Sequence, residues 1–209
     1  MYKNYTHYLL VMSFLHSYAD NKHSKGVNKM ERKRSKVLML TEGGMMVALS
    51  VLLSYIIIYQ APNGGSVSAG SMIPIMLFAI RWGIVPGMTV GAIYGVLDFL
   101  LKPYFFHPVQ VLLDYPIAYG LLGLAGVAYI LNNKNGNSYI SLSLGVTLAV
   151  VGRLIAHVLS GVVFFSEYAG SQNAWLYSII YNATYLIPEL IISLVILLII
   201  YKPLQKILK

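Results

Sequence analysis

What most constrains this chain is a series of apolar runs, each long enough, or nearly so, to cross a bilayer. They fall at about 37–59, 71–83, 85–101, 108–132, 139–165 and 174–201. A hydrocarbon core of about 30 Å takes roughly 20 apolar residues as a helix. A helix satisfies its own backbone hydrogen bonds there, which an extended single segment does not. The expected fold class is an all-α membrane protein with six transmembrane helices. The second run is short, contains Pro74 and ends at Arg81-Trp82-Gly83, which predicts a tilted or partial helix. Pro86-Gly87 follows it, and the polar stretch Asn132–Asn137 marks a turn between the fourth and fifth runs.

Composition agrees. Of 209 residues, 57% are hydrophobic and only 11% charged, against about 25% charged in a soluble domain. Too few polar residues remain to cover a water-facing surface, so lipid is the expected solvent. There is no cysteine, which excludes disulfides, thiol catalysis and cysteine metal sites. The net charge of +8 raises the question of nucleic acid, but its distribution argues for a membrane instead. Eight of the fifteen basic residues lie between Lys3 and Lys36, ahead of the first apolar run. With Arg81, Lys134, Lys202, Lys206 and Lys209 they fall on one side of a six-span arrangement, and Lys102 falls on the other. Basic loops mark the cytoplasmic side, so both termini are expected in the cytoplasm.

Three regions follow. Residues 1–36 are a basic extension expected to be disordered, and Met30 is an alternative start. Residues 37–201 form the membrane domain with a substrate site, and 202–209 a cytoplasmic tail. No internal repeat is apparent. The phosphate-binding loop G-x-x-x-x-G-K-[ST] is absent, as are H-E-x-x-H and G-x-S-x-G. The histidines are too isolated for a metal site. No cofactor is called for, and the chain reads as a binding or transport protein, not an enzyme.

Ionisable groups at membrane depth carry the functional information, since each costs about 2.5–3.5 kcal/mol at a helix centre. They are Glu42, Asp98, Asp114, Arg153, His157 and Glu189. Arg153 and His157, four apart, share a helix face that continues to Ser160 and Gly161. Asp114-Tyr115, Tyr104, Gln110, Phe165, Tyr168, Tyr177, Tyr181 and Asn182 add a carboxylate, rings and hydrogen-bonding groups towards the outer half of the membrane. A buried carboxylate with aromatic walls suits an organic cation. Each feature has a plainer reading. Tyrosines near span ends form interfacial belts. Asp114 and Arg153 could form a structural ion pair, and His157 could hydrogen-bond a neighbouring helix. Glu42 suits the first turn of its helix by the dipole. Asp98 reads as structural, as does Glu189, which could satisfy backbone groups freed by Pro188. Gly44 and Ala48 make a small-xxx-small pair, which serves either partner docking or packing within the bundle.

Taken in order, these motifs resemble a known family. They are Leu40–Ser50, Gly64-Gly65-Ser66, Met72–Ile75, Arg81-Trp82-Gly83, Leu113-Asp114-Tyr115, His157–Gly161 with Phe165-Ser166, and Tyr177 with Tyr181-Asn182. The chain resembles, over about 37–201, the thiamine-specific substrate-binding subunit (S component) of energy-coupling factor (ECF) transporters. The resemblance implies a thiamine site open to the outside and closed by the loop at about 60–70, with Gly64 and Gly65 as hinges. It implies that Asp114 stands where the family has a glutamate bonding the aminopyrimidine, and Phe165 where a stacking tryptophan is common. Tyr104, Tyr115, Arg153, His157, Tyr177 and Asn182 match further pocket positions. The resemblance also implies that Gly44 and Ala48 fall on the docking motif for a transmembrane coupling subunit and that two separate ATPase subunits supply the energy. It implies that substrate is captured outside and released inside as the subunit reorients in a bacterial cell membrane. The alternatives are a thiamine precursor or another vitamin as cargo, an intramembrane enzyme using Asp98, Asp114 or His157, and a stand-alone proton-coupled carrier using Glu189 or Asp98.

Overall fold

A computed structural model of the chain describes residues 35–62, 64–135 and 138–208. Nearly all of the basic extension at 1–36 lies outside the described residues. Six helices appear in chain order: α1 Ser35–Ser54, α2 Ile73–Trp82, α3 Ile84–Leu101, α4 Pro108–Leu131, α5 Ser138–Phe164 and α6 Ala174–Leu208. Among the described residues, five helices are long and apolar enough to cross a membrane, and α2 is shorter, with 10 residues. At 1.5 Å per residue α2 spans about 15 Å, half a bilayer core. Its residues Ile73–Met76 and Phe78–Ile80 are buried, so protein rather than lipid surrounds it. Pro74 sits in its first turn, where no N–H partner is lost. Gly83, at φ 95°, is the single residue between α2 and α3.

The first helix ends earlier than the apolar run suggests. Residues 37–59 read as one helix, but α1 stops at Ser54. There Lys102 Nζ donates to the Ser54 carbonyl at 2.9 Å and to its Oγ at 2.7 Å, tying off the helix end. After a bend at Ile56, the β-branched Ile57-Ile58 opens an extended strand. Two strands, β1 Ile57–Gln60 and β2 Ser66–Ser68, pair antiparallel with Ile57 opposite Ser68 and Gln60 opposite Ser66. Gly64, at φ 100°, makes the turn. The expected loop at 60–70 is therefore the distal half of a hairpin.

The fourth helix is irregular at the point that matters. It begins as α-helix over Pro108–Leu112, opens into a π-helical turn over Leu113–Ile117 and tightens to 3-10 geometry over Leu121–Gly126. Pro116 lies inside the π turn and has no N–H to give the ladder, so the wider turn absorbs the missing bond. Asp114 and Tyr115 are carried on this turn. Helical backbone continues through Asn135, which narrows the expected polar turn. The sixth helix runs on to Leu208, past the expected start of the tail. Close approaches hold α3 against α4: a Cβ on Gly91 would sit 2.2 Å from the Tyr119 carbonyl oxygen, and one on Gly95 2.4 Å from that of Tyr115.

Candidate functional site

A cavity of about 450 Å³ lies among the hairpin, the end of α3, α4, α5 and α6. Asp114, Tyr115, His157, Phe165, Tyr177, Asn182, Tyr104 and Arg153 all line it, as do Gly64 and Gly65. The π turn presents Asp114, and the helical spacing of α5 stacks Arg153, His157, Ser160 and Gly161 along the facing wall.

The Asp114 carboxylate is held on both oxygens. Oδ1 lies 3.0 Å from His157 Nδ1, and Oδ2 accepts from Gln110 Nε2 at 2.7 Å and Ser160 Oγ at 2.9 Å. Arg153 Nε donates to His157 Nε2 at 3.2 Å. An arginine nitrogen only donates, so Nε2 is the acceptor and the imidazole proton sits on Nδ1, aimed at Asp114. Arg153 and Asp114 are thus linked through His157 and are not a direct ion pair. Buried Arg153 also donates from Nη1 to the Met72 sulfur and stacks over the Tyr119 ring, its Cζ 4.2 Å from the centroid. A guanidinium in such surroundings is stabilised by the ring face and by hydrogen bonds.

Aromatic rings form the outer wall. Phe165 is the hub, with ring centroids of Tyr104 at 6.0 Å, Phe106 at 5.4 Å and Tyr168 at 6.1 Å. Burial and the neighbouring Tyr168 raise the Tyr104 phenol above its ordinary pKa, which keeps it neutral. On α6, Tyr177 stacks on Tyr181 at 6.3 Å, and Tyr181 meets Tyr185 edge-on at 5.9 Å. Tyr115 fastens the rim: its hydroxyl donates to the Lys102 carbonyl at 3.2 Å and accepts from Tyr104 N at 3.1 Å. Asn182 is occupied at both ends, Nδ2 donating to the Ser178 carbonyl at 2.8 Å and Oδ1 accepting from Tyr185 OH.

Two acidic residues behave differently from the sequence reading. Glu42 is the eighth residue of α1, beyond the first turn where a helix dipole acts; instead Oε1 pairs with Arg81 at 3.1 Å and Oε2 accepts from Trp82 Nε1 at 2.7 Å, tying α1 to the end of α2. Glu189 reaches across to β2, where Oε1 accepts from Ser68 N at 2.6 Å and Ser68 Oγ at 2.8 Å, so the backbone freed by Pro188 is not its partner. Ser68 and Glu189 both line the cavity, with Asp98, whose Oδ2 accepts from Tyr119 OH at 3.0 Å. No sequence signal singles out Ser68. Gly44 and Ala48 lie away from the cavity, exposed on α1, and a Cβ at Gly44 would meet nothing within 4 Å. No cluster of metal-ligating side chains is found among the described residues.

Comparison with known proteins gives a consistent result. A family model described as thiamine transporter protein (Thia_YuaJ) matches residues 40–209. The chain is 34% identical over 184 residues to the thiamine transporter ThiT of Bacillus subtilis (strain 168), covering 83% of this chain and 95% of that one. It is 30% identical over 166 residues to the ThiT of Lacticaseibacillus paracasei, covering 72% and 80%. A solved structure of ThiT from Listeria monocytogenes superposes with a TM-score of 0.74 at 26% identity, over 83% of this chain and 98% of that one. These relatives are transport proteins of the membrane rather than enzymes. On its fold, its polar cavity and these matches, the chain is an integral membrane protein that belongs to the thiamine transporter family.

Proposed function

We propose that this chain binds thiamine in the cavity between the hairpin and helices α3 to α6, and that it acts as the S component of an ECF transporter, capturing extracellular thiamine for ATP-driven uptake. The observation that carries the reading is one cavity holding both a fixed carboxylate and a wall of rings. Asp114, oriented by Gln110, Ser160 and His157, supplies negative charge. The rings of Tyr104, Phe165, Tyr168 and Tyr177 face the same space. Thiamine carries a permanent thiazolium charge. A desolvated cation over an aromatic face gains about 2 kcal/mol or more, and the carboxylate balances its charge without leaving water as a competitor.

The hairpin closes the outer side of this site. Gly65 N donates to Tyr181 OH at 3.3 Å, and Gln60 Nε2 to the Gly65 carbonyl at 3.2 Å, so the turn rests on α6. The exposed Gly44 and Ala48 are the docking face for the transmembrane coupling subunit, because small residues let a second helix approach closely in lipid. Two ATPase subunits, joined through that coupling subunit, supply the energy.

Titration of the purified chain with thiamine, followed by intrinsic fluorescence, tests the binding step. A saturable change at micromolar ligand or below is expected, because aromatic side chains line the cavity. No response at that concentration refutes the reading. Competition by the isolated aminopyrimidine at equal strength would reassign the cargo to a precursor.

A further inference from the structure

A lysine is out of place on the wall of a site that takes a cation. Of the lysines and arginines at the span ends, Lys102 alone lies on the outer side, and it lines the cavity. Its ammonium group has a mechanical task. Nζ donates to the Ser54 carbonyl at 2.9 Å and to Ser54 Oγ at 2.7 Å, which holds the end of α1 where the hairpin begins. It also lies over the Tyr55 ring, 4.7 Å from the centroid. None of these partners removes its charge. Asp98, one turn earlier on α3, does: Oδ1 lies 3.6 Å from Nζ, and Oδ2 accepts from Tyr119 OH at 3.0 Å. Both carboxylate oxygens are thus spent on protein groups. The Lys102 side chain is 34% exposed and that of Asp98 12%, so solvent screens the two charges less than at an open surface.

This inference rests on thiamine as the ligand. We propose that Asp98 determines specificity for a cation by acting through Lys102. It cancels the lysine charge, so a positively charged ligand can occupy a cavity whose hairpin is rooted by an ammonium group. Like charges in a partly desolvated site repel far more than they do in water. Without Asp98, Lys102 would oppose the thiazolium and offset part of the attraction of Asp114. With it, Asp98 and Lys102 form a neutral pair, and Asp114 acts on the ligand unopposed by the lysine. The two residues are four apart at the end of α3, so the pair is preformed and needs no ligand to assemble.

The test compares thiamine with deazathiamine, a neutral isostere in which a thiophene ring replaces the thiazolium, as ligands for the purified full chain. The readout is the ratio of the two affinities, which a general loosening of the cavity does not move. The wild type prefers thiamine. Asp98→Asn lowers that preference at least about tenfold, as an unbalanced like charge does in a partly desolvated site. Lys102→Met keeps the length of the side chain without its charge and raises the preference. The double variant carries neither charge and returns the preference to within about threefold of wild type, the coupling expected of a pair. An unchanged preference in Asp98→Asn overturns the proposal and leaves Asp98 a structural residue. A preference as low in the double variant as in Asp98→Asn also overturns it, because Asp98 would then act on the ligand directly. If Asp98→Asn does not fold, Lys102→Met decides alone: a raised preference supports the proposal, and an unchanged or lowered one overturns it. A wild type that binds both compounds equally overturns the proposal. A wild type that binds neither refutes the thiamine reading itself, a separate outcome.

Discussion

Two helices carry small residues four apart, and the structure uses them in opposite ways. On α3, Gly87, Gly91 and Gly95 are buried, with no room for a methyl group: a Cβ at Gly91 would meet the Tyr119 carbonyl oxygen at 2.2 Å. On α1, Gly44 and Ala48 are exposed, and nothing approaches a Cβ at Gly44. Gly43, one residue earlier, is buried and faces Val90 at 3.1 Å. The same spacing therefore serves a finished contact on α3 and an open one on α1. Phase around the helix, not spacing, separates them. The α3 contact also has a functional consequence, because Gly95 lies against Tyr115, next to Asp114 on the π turn. The depth at which Asp114 enters the cavity is set by how closely two backbones meet.

The strongest way to break this comparison is at Gly91. Alanine is the better helix former by about 1 kcal/mol, so a face that tolerated Cβ would gain stability. Here the methyl group would drive into a backbone carbonyl that cannot swing aside. Gly91→Ala is expected to destabilise by about 3 kcal/mol, as overpacking does, and to lower the melting temperature in detergent by about 6–12 °C. An unchanged or raised melting temperature would mean that α3 and α4 do not meet this closely.

An intermediate effect is expected at Gly65, on the hairpin. Its Cβ would sit 2.3 Å from the Tyr185 ring, which is buried and tied to Asn182. The obstacle is a side chain and the glycine is on a hairpin, so the strain falls on the seating of the turn and not on the bundle. Gly65→Ala should leave the melting temperature close to wild type and weaken thiamine binding about tenfold, or about 1.4 kcal/mol. Full affinity would show that the turn need not rest on α6 when ligand is bound.

The helices were legible because apolar length is a direct demand of the bilayer, and even the half-length α2 announced itself through Pro74 and Arg81-Trp82-Gly83. The strands were not, because Tyr55–Tyr59 continues the same apolar run and hydropathy does not register a change from helical to extended backbone. Asp114, Arg153 and His157 stood out because ionisable groups at depth must face protein or a cavity. Glu189 is structural, as read, but its partner was hidden for the opposite reason: Pro188 offered it a local one, and the partner it has, Ser68, lies 121 residues away. A serine in a loop carries no mark of its own. The bond across that distance exists only once α6 and β2 are side by side.

The smallest effect on the isolated chain is expected at Gly44, and it sharpens the comparison most. A leucine there would project from the exposed face of α1, where no neighbour lies within 4 Å of the new Cβ. Gly44→Leu should therefore keep thiamine affinity within about 0.5 kcal/mol of wild type and hold or raise stability, by up to about 1 kcal/mol, because leucine is the better helix former and the face is open. The same change should abolish thiamine uptake in vesicles that also contain the coupling and ATPase subunits, because a bulky side chain holds apart helices that a glycine lets touch. Binding kept and uptake lost would assign the open face to the partner. Loss of binding together with uptake would mean that α1 turns this face inward, and the contrast with α3 would disappear.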